Sequence, residues 1–125
     1  MKTVYIIISV TLAVVILFFV FNRIYRYNTI DKGLGKKIAK GAIILDVRTV
    51  GEFRKGHIEG SINISLGTIR ERYIELDSSK TYITYCSHGL RSVDVKNILK
   101  EKGFKKVFNG GAMSDLETTI EKYSL

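Results

Sequence analysis

From Thr3 to Asn22 the chain runs for 20 residues without a charged side chain, and between Val4 and Phe21 only Ser9 and Thr11 interrupt the apolar series. At ~1.5 Å per residue such a stretch makes about 30 Å of helix, the thickness of a bilayer's hydrocarbon. A helix apolar on every face needs apolar surroundings on every face, and the rest of this 125-residue chain is too short to wrap it. Residues 1–22 are therefore expected to be a transmembrane anchor. Lys2 ahead of the run would also suit a secretory signal, but Phe18-Phe19-Val20-Phe21-Asn22-Arg23 offers no small-x-small cleavage pattern, and the run exceeds the usual signal core. The expectation is an uncleaved, single-pass anchor in the cell membrane. Arg23, Arg26, Lys32, Lys36, Lys37 and Lys40 follow the run, whereas Lys2 and the terminal amine precede it. That bias predicts that the body of the chain faces the cytoplasm.

Charge is concentrated in the same place. Of the net +8, residues 22–41 hold six basic groups against one acid, Asp31, while residues 42–125 hold 13 basic and 11 acidic groups. The basic excess thus belongs beside the bilayer, where each cation near anionic lipid contributes ~1 kcal/mol. Arg23, Tyr25, Arg26 and Tyr27 read as lipid-interface residues, and nucleic acid is not an expected partner. Residues 23–30 read as a basic juxtamembrane linker and 31–125 as one folded domain. A single cysteine excludes an internal disulfide and a zinc site of paired cysteines.

Within the domain, Ile43-Ile44-Leu45 leads into Asp46 and Tyr82-Ile83-Thr84-Tyr85 into Cys86, two short runs too apolar for a solvent face. Ile62-Asn63-Ile64 and Lys106-Val107-Phe108 are weaker strand patterns. Helical spacing fills the intervals: Thr49 to Lys55, with Thr49 and Glu52 spaced as a capping box; Leu66 to Leu76; Ser92 to Lys102, closed by Gly103; and Ser114 to Tyr123, entered through a turn at Gly110-Gly111. Alternating strands and helices predict an α/β domain with a mostly parallel sheet. Ligand sites in such sheets lie beyond the carboxyl ends of strands, where Asp46 and Cys86 fall.

Cys86 is followed by Ser87, His88, Gly89, Leu90, Arg91 and Ser92, and then by a helix. A loop running from a strand into a helix amino terminus turns successive backbone N–H groups toward its centre. If the sulfur points into that bowl, the amides, the helix dipole and Arg91 all favour thiolate over thiol. A lone cysteine is often a small apolar core residue, but Ser, His, Gly and Arg are poor core neighbours. Gly89 is expected to supply a backbone geometry that a Cβ would disfavour. Asp46 reads as a support beneath the cysteine loop and Arg48 as the partner of an acid such as Glu52. His57 reads as a buried structural histidine, whereas His88 lies inside the loop.

These residues resemble the single-domain rhodanese family of sulfurtransferases. The family's active-loop pattern Cys-x-x-Gly-x-Arg-Ser is matched by Cys86, Gly89, Arg91 and Ser92. Its earlier segment is matched by Leu45-Asp46-Val47-Arg48-Thr49, Glu52-Phe53, Gly56-His57-Ile58 and Gly60-Ser61-Ile62-Asn63-Ile64. The likeness extends from about Asp31 to about Tyr123, and the anchored arrangement resembles small bacterial membrane-bound members. It implies a five-stranded, mainly parallel sheet with helices on both faces, and no metal or organic cofactor. It also implies that Cys86 attacks the outer sulfur of thiosulfate or a related persulfide donor, becomes a persulfide, and passes the sulfur to a thiophilic acceptor, a thiol or a partner protein. The amides of Ser87, His88, Gly89, Leu90 and Arg91 would hold the anion, with Asp46, Arg48 and Ser92 in support. Phosphatases of similar design place five residues between Cys and Arg; the four here, Ser87 to Leu90, make a bowl too small for a phosphoryl group. An anchored binding or regulatory module with incidental turnover, and an oxidant-sensing thiol, are the alternatives.

Overall fold

The computed structural model describes residues 1–123, without the side chains of residues 26–28, so the Arg26 and Tyr27 part of the interface reading lies outside the described residues. Helix α1 spans Lys2–Thr29. Its portion Lys2–Tyr25 is long and apolar enough to cross a membrane, by length and composition, and its most apolar window is wholly exposed. The helix continues through residues 23–29, the stretch read as a linker, because no glycine or proline occurs before Gly33 to interrupt it.

Beyond α1 come α2 (Leu34–Ala39), β1 (Ile43–Asp46), α3 (Val50–Lys55), β2 (Ile62–Asn63), α4 (Ile69–Arg72) with a 3-10 turn (Tyr73–Glu75), β3 (Tyr82–Cys86), α5 (Leu90–Glu101), β4 (Val107–Ala112) and α6 (Met113–Tyr123). The strands pair in the order β2-β1-β3-β4, and each pairing is parallel. Four strands form among the described residues where the family resemblance implied five. Residues just after α1 reach the edge strand β4, where the Asp31 amide donates to the Asn109 carbonyl at 3.0 Å without continuing into a ladder. Gly33, at φ +73°, then turns the chain into α2 before a ladder can develop. Helix α2 lacked a sequence signature, since its six residues are too few to show a period.

Strand alternation divides the core into two layers. On one side of the sheet, Leu45, Tyr82 and Cys86 pack with Ile69 of α4 and with Val95, Ile98 and Leu99 of α5. On the other, Ile83 and Tyr85 pack with Leu34 of α2 and Leu116 of α6. The segment expected to be helical from Leu66 to Leu76 is shorter and tightens into the 3-10 turn. Gly110-Gly111, expected as a turn, instead form a bulge inside β4. Thr84 pairs with Asn109 and Cys86 with Ala112, so two glycines stand opposite Tyr85 alone. Their lack of side chains permits it: a Cβ on Gly110 would lie 2.8 Å from the Thr84 carbonyl oxygen, and Gly111 has φ +79°.

Candidate active site

Cys86 ends β3, the most buried strand, at the sheet's carboxyl edge. Period-2 alternation turns its side chain toward α5, and the residue is 1% exposed. The sulfur is not left to apolar neighbours alone. The Gly89 amide donates to Cys86 Sγ at 2.9 Å, and the thiol lies 3.6 Å from Ser92 Oγ, to which it can donate. Among the loop amides from Ser87 to Arg91, that of Gly89 is the one within hydrogen-bond distance of the sulfur among the described residues. Gly89 holds φ +87° as the N-cap of α5, and this left-handed conformation turns its N–H back onto Sγ. A Cβ there would stand 3.4 Å from Gly111 Cα, so the bulge in β4 and the cysteine loop fit against each other.

Ser92 braces the loop from the first turn of α5. Its hydroxyl donates to the Gly89 carbonyl at 3.1 Å, and its own carbonyl accepts from Thr84 Oγ1 at 2.9 Å. Leu90 is half-exposed on the outer side of the loop. Arg91 is bound to Glu52, with no hydrogen bond to the sulfur among the described residues. Its Nη1 and Nη2 donate to Oε1 and Oε2 at 2.7 and 3.0 Å, and Ser87 Oγ donates to the same Oε2 at 2.9 Å. Glu52 also completes the expected capping box, its amide donating to Thr49 Oγ1 at 3.2 Å. The Arg91 guanidinium, aided by Ser87 and Thr49, holds the Glu52 carboxyl far below the usual carboxylate range. Spacing along the chain places Glu52 only in its own helix cap and opposite Arg48. The Glu52–Arg91 contact joins residues 39 positions apart, which no local pattern signals.

Arg48 pairs instead with Asp46. Arg48 Nε and Nη2 reach both Asp46 oxygens, with Nη2 2.7 Å from Oδ2, and Nη2 also donates to the Gly56 carbonyl at 2.7 Å. The reason is geometric: both residues leave the end of β1 on one side, whereas Glu52 points toward Arg91. Asp46 is fully buried and does not touch the loop amides. Its Oδ2 accepts from Tyr85 Oη at 2.7 Å, and that phenol accepts the Ile58 amide at 3.0 Å, so Asp46 steadies the strand residue before Cys86. Burial, and then the hydrogen bond to Asp46, push the Tyr85 phenol above its ordinary value. His57 is exposed, stacked on Phe53 with Nδ1 2.9 Å from the Phe53 carbonyl oxygen, and takes no part in the site.

A cavity of about 380 Å³ opens beside the loop, lined by Arg23, Ile30, Ser87, His88, Gly89, Gly111, Ala112 and Asp115. His88 thus faces the entrance. No group of three or more His, Cys, Asp or Glu residues suited to a metal occurs among the described residues.

The domain is thus a parallel α/β fold with a buried thiol at the carboxyl end of an inner strand, under a loop that turns an amide onto it. The family description "Rhodanese-like domain" matches residues 31–113, so the chain belongs to the rhodanese-like family. The chain is 35% identical over 74 residues, 58% of its length and 71% of the relative's, to the thiosulfate sulfurtransferase PspE of Escherichia coli (strain K12). It is 34% identical over 92 residues, 74% of its length, to a tRNA sulfurtransferase of Thermoplasma acidophilum, but spans only 18% of that longer protein. Of the putative sulfur carrier protein YrkF of Bacillus subtilis (strain 168) it spans 36%, at 41% identity over 53% of this chain. Among solved structures, a rhodanese with anions from E. coli superposes with a TM-score of 0.57 at 34% identity, covering 60% of this chain and 91% of that one. Sulfur transfer is the activity that the family-level likeness supports.

Proposed function

We propose that this chain is a membrane-anchored sulfurtransferase that moves sulfane sulfur from thiosulfate or a related donor to a thiophilic acceptor through a persulfide on Cys86, with the domain facing the cytoplasm. The observation that carries the reading is the Gly89 amide 2.9 Å from Cys86 Sγ at the end of β3. A donor amide aimed at sulfur stabilises charge there without reorganising during reaction. The amino end of the 12-residue helix α5 adds its dipole.

In the first step the Cys86 thiolate attacks the outer sulfur of thiosulfate. A new S–S bond forms, the S–S bond of the donor breaks, and sulfite leaves with the bonding pair. In the second step an acceptor nucleophile, cyanide or a thiolate, attacks the outer sulfur of the persulfide, and Cys86 leaves as thiolate. Ser92 and Gly89 hold the loop around the nucleophile, while the Glu52–Arg91–Ser87 cluster fixes its outer wall. The names of the relatives support thiosulfate as donor. The exposed apolar surface of α1 supports the anchor.

The decisive experiment is mass spectrometry of the full-length protein in detergent after exposure to low-millimolar thiosulfate. One added sulfur is expected on the Cys86 peptide and none on a Cys86→Ser protein; an unmodified wild-type peptide would overturn the proposal. Proteolysis of inverted and right-side-out vesicles tests orientation, with the domain expected to be cut in inverted vesicles only.

A further inference from the structure

Resting on the sulfur-transfer reading, we infer that the anchor helix completes the donor site: Arg23 of α1 is the cation that draws an oxyanion donor such as thiosulfate into the entrance beside Cys86. Arg91, the cation suggested by the sequence motif, has its charge matched by the two-toothed contact with Glu52. Of the residues lining the cavity, Arg23 is then the one permanent cation. It is exposed and is joined to no carboxylate by an ion pair among the described residues. Asp115 lines the same cavity, and without Arg23 its carboxylate would repel a dianion.

The helix holds a defined position over the site because residues 29–31 are tied to the edge strand β4, which lies beside β3 and its cysteine loop. Asn109 Nδ2 donates to the Thr29 carbonyl at 2.8 Å, and the Asp31 carboxylate accepts both the Asn109 amide, at 2.7 Å, and Lys96 Nζ of α5. Ile30 fills the space that a side chain on Gly111 would need, since a Cβ there would lie 2.7 Å from Ile30 Cγ1. Gly111 in turn borders Gly89. Residues 29–31 at the end of α1, the β4 bulge and the amide on the sulfur therefore form one continuous packed unit, and the same unit sets the entrance at the end of the apolar helix. A guanidinium there meets a planar or tetrahedral oxyanion with paired donors.

The test uses the full-length protein in zwitterionic nanodiscs, comparing wild type, Arg23→Gln, Arg23→Lys and, as a control at the far end of α1, Lys2→Gln. Arg23→Gln is expected to raise the KM for thiosulfate about tenfold with kcat changed less than about twofold, and to flatten the rise of KM with ionic strength. Arg23→Lys should recover most of the loss, and Lys2→Gln should match wild type. Calorimetric binding of thiosulfate to the Cys86→Ala protein, which cannot turn over, should weaken by the same factor on adding Arg23→Gln. Equal KM and equal binding with and without Arg23, in a wild type that forms the persulfide, would overturn this inference alone. A wild type that binds thiosulfate through Arg23 yet forms no persulfide would overturn the sulfur-transfer reading and leave the anion site standing.

Discussion

Glu52 and Arg91 meet in a two-toothed ion pair, at 2.7 and 3.0 Å, across the outer wall of the cysteine loop. The contact locks the first turn of α5 to the first turn of α3, and Ser87 is drawn into it through Glu52 Oε2. A loop that must keep one amide on a sulfur atom is thus held on its outer wall by this clamp and from the first turn of α5 by Ser92.

Glu52→Gln is expected to loosen the loop, slowing persulfide formation about tenfold in stopped reactions read by mass spectrometry, and to lower stability by about 1 kcal/mol, since the pair is about one-third exposed and partly screened. The pH dependence has a definite sign. The carboxyl is depressed from its ordinary 4.5, so its contribution is fully present above that pH and is lost as pH falls toward its folded-state value. Urea unfolding in micelles should show the gap between wild type and Glu52→Gln at full size at pH 7 and narrowing only below about pH 4.5.

Gly89→Ala should remove most persulfide formation. The left-handed φ of +87° costs an L side chain about 1–2 kcal/mol, and relaxing it rotates the amide off the sulfur. Thermal unfolding is expected to shift by that modest amount while the mass-spectrometric sulfur adduct falls more than about tenfold. A fully active Gly89→Ala protein would contradict the role assigned to this amide.

Ser92→Ala deletes the hydroxyl that bonds the Gly89 carbonyl and lies beside Cys86 Sγ. A drop in the persulfide-forming rate of about fivefold to tenfold is expected, with a loss of about 1 kcal/mol in stability because the Gly89 carbonyl is left without that donor. Hydrogen exchange at the Gly89 amide should quicken in parallel.

Tyr85→Phe should be felt mainly in stability. It deprives the Ile58 amide of its acceptor and the buried Asp46 of a donor, at about 2–3 kcal/mol. The phenol is raised above its ordinary 10.0 by burial and by Asp46, so its contribution is fully present below that pH and declines as pH rises through the folded-state value. The stability gap between wild type and Tyr85→Phe should therefore narrow above about pH 10 in chemical unfolding.

The parts of this protein that rest on spacing along the chain were readable from the residues alone. The charge-free run that becomes most of α1, the alternation that makes β1 and β3, the Thr49–Glu52 capping box and the strand-to-helix loop after Cys86 are local, because each depends on neighbours within a few positions. The rest required three dimensions. Whether Glu52 answers Arg48 or Arg91 depends on where two helices start over the sheet, and Asp46 turns to Tyr85 and Arg48 rather than to the loop because β1 and β3 lie in register, with Asp46 beside Tyr85. The two glycines after Asn109 look like a turn in sequence and become a bulge only because β4 must pass Thr84 and the loop at backbone distance. The position of Arg23 over the entrance follows from bonds between residues 29–31 and Asn109, some 80 positions apart. Contacts closed over such separations depend on the packing of whole elements, and packing leaves no periodic mark in the chain.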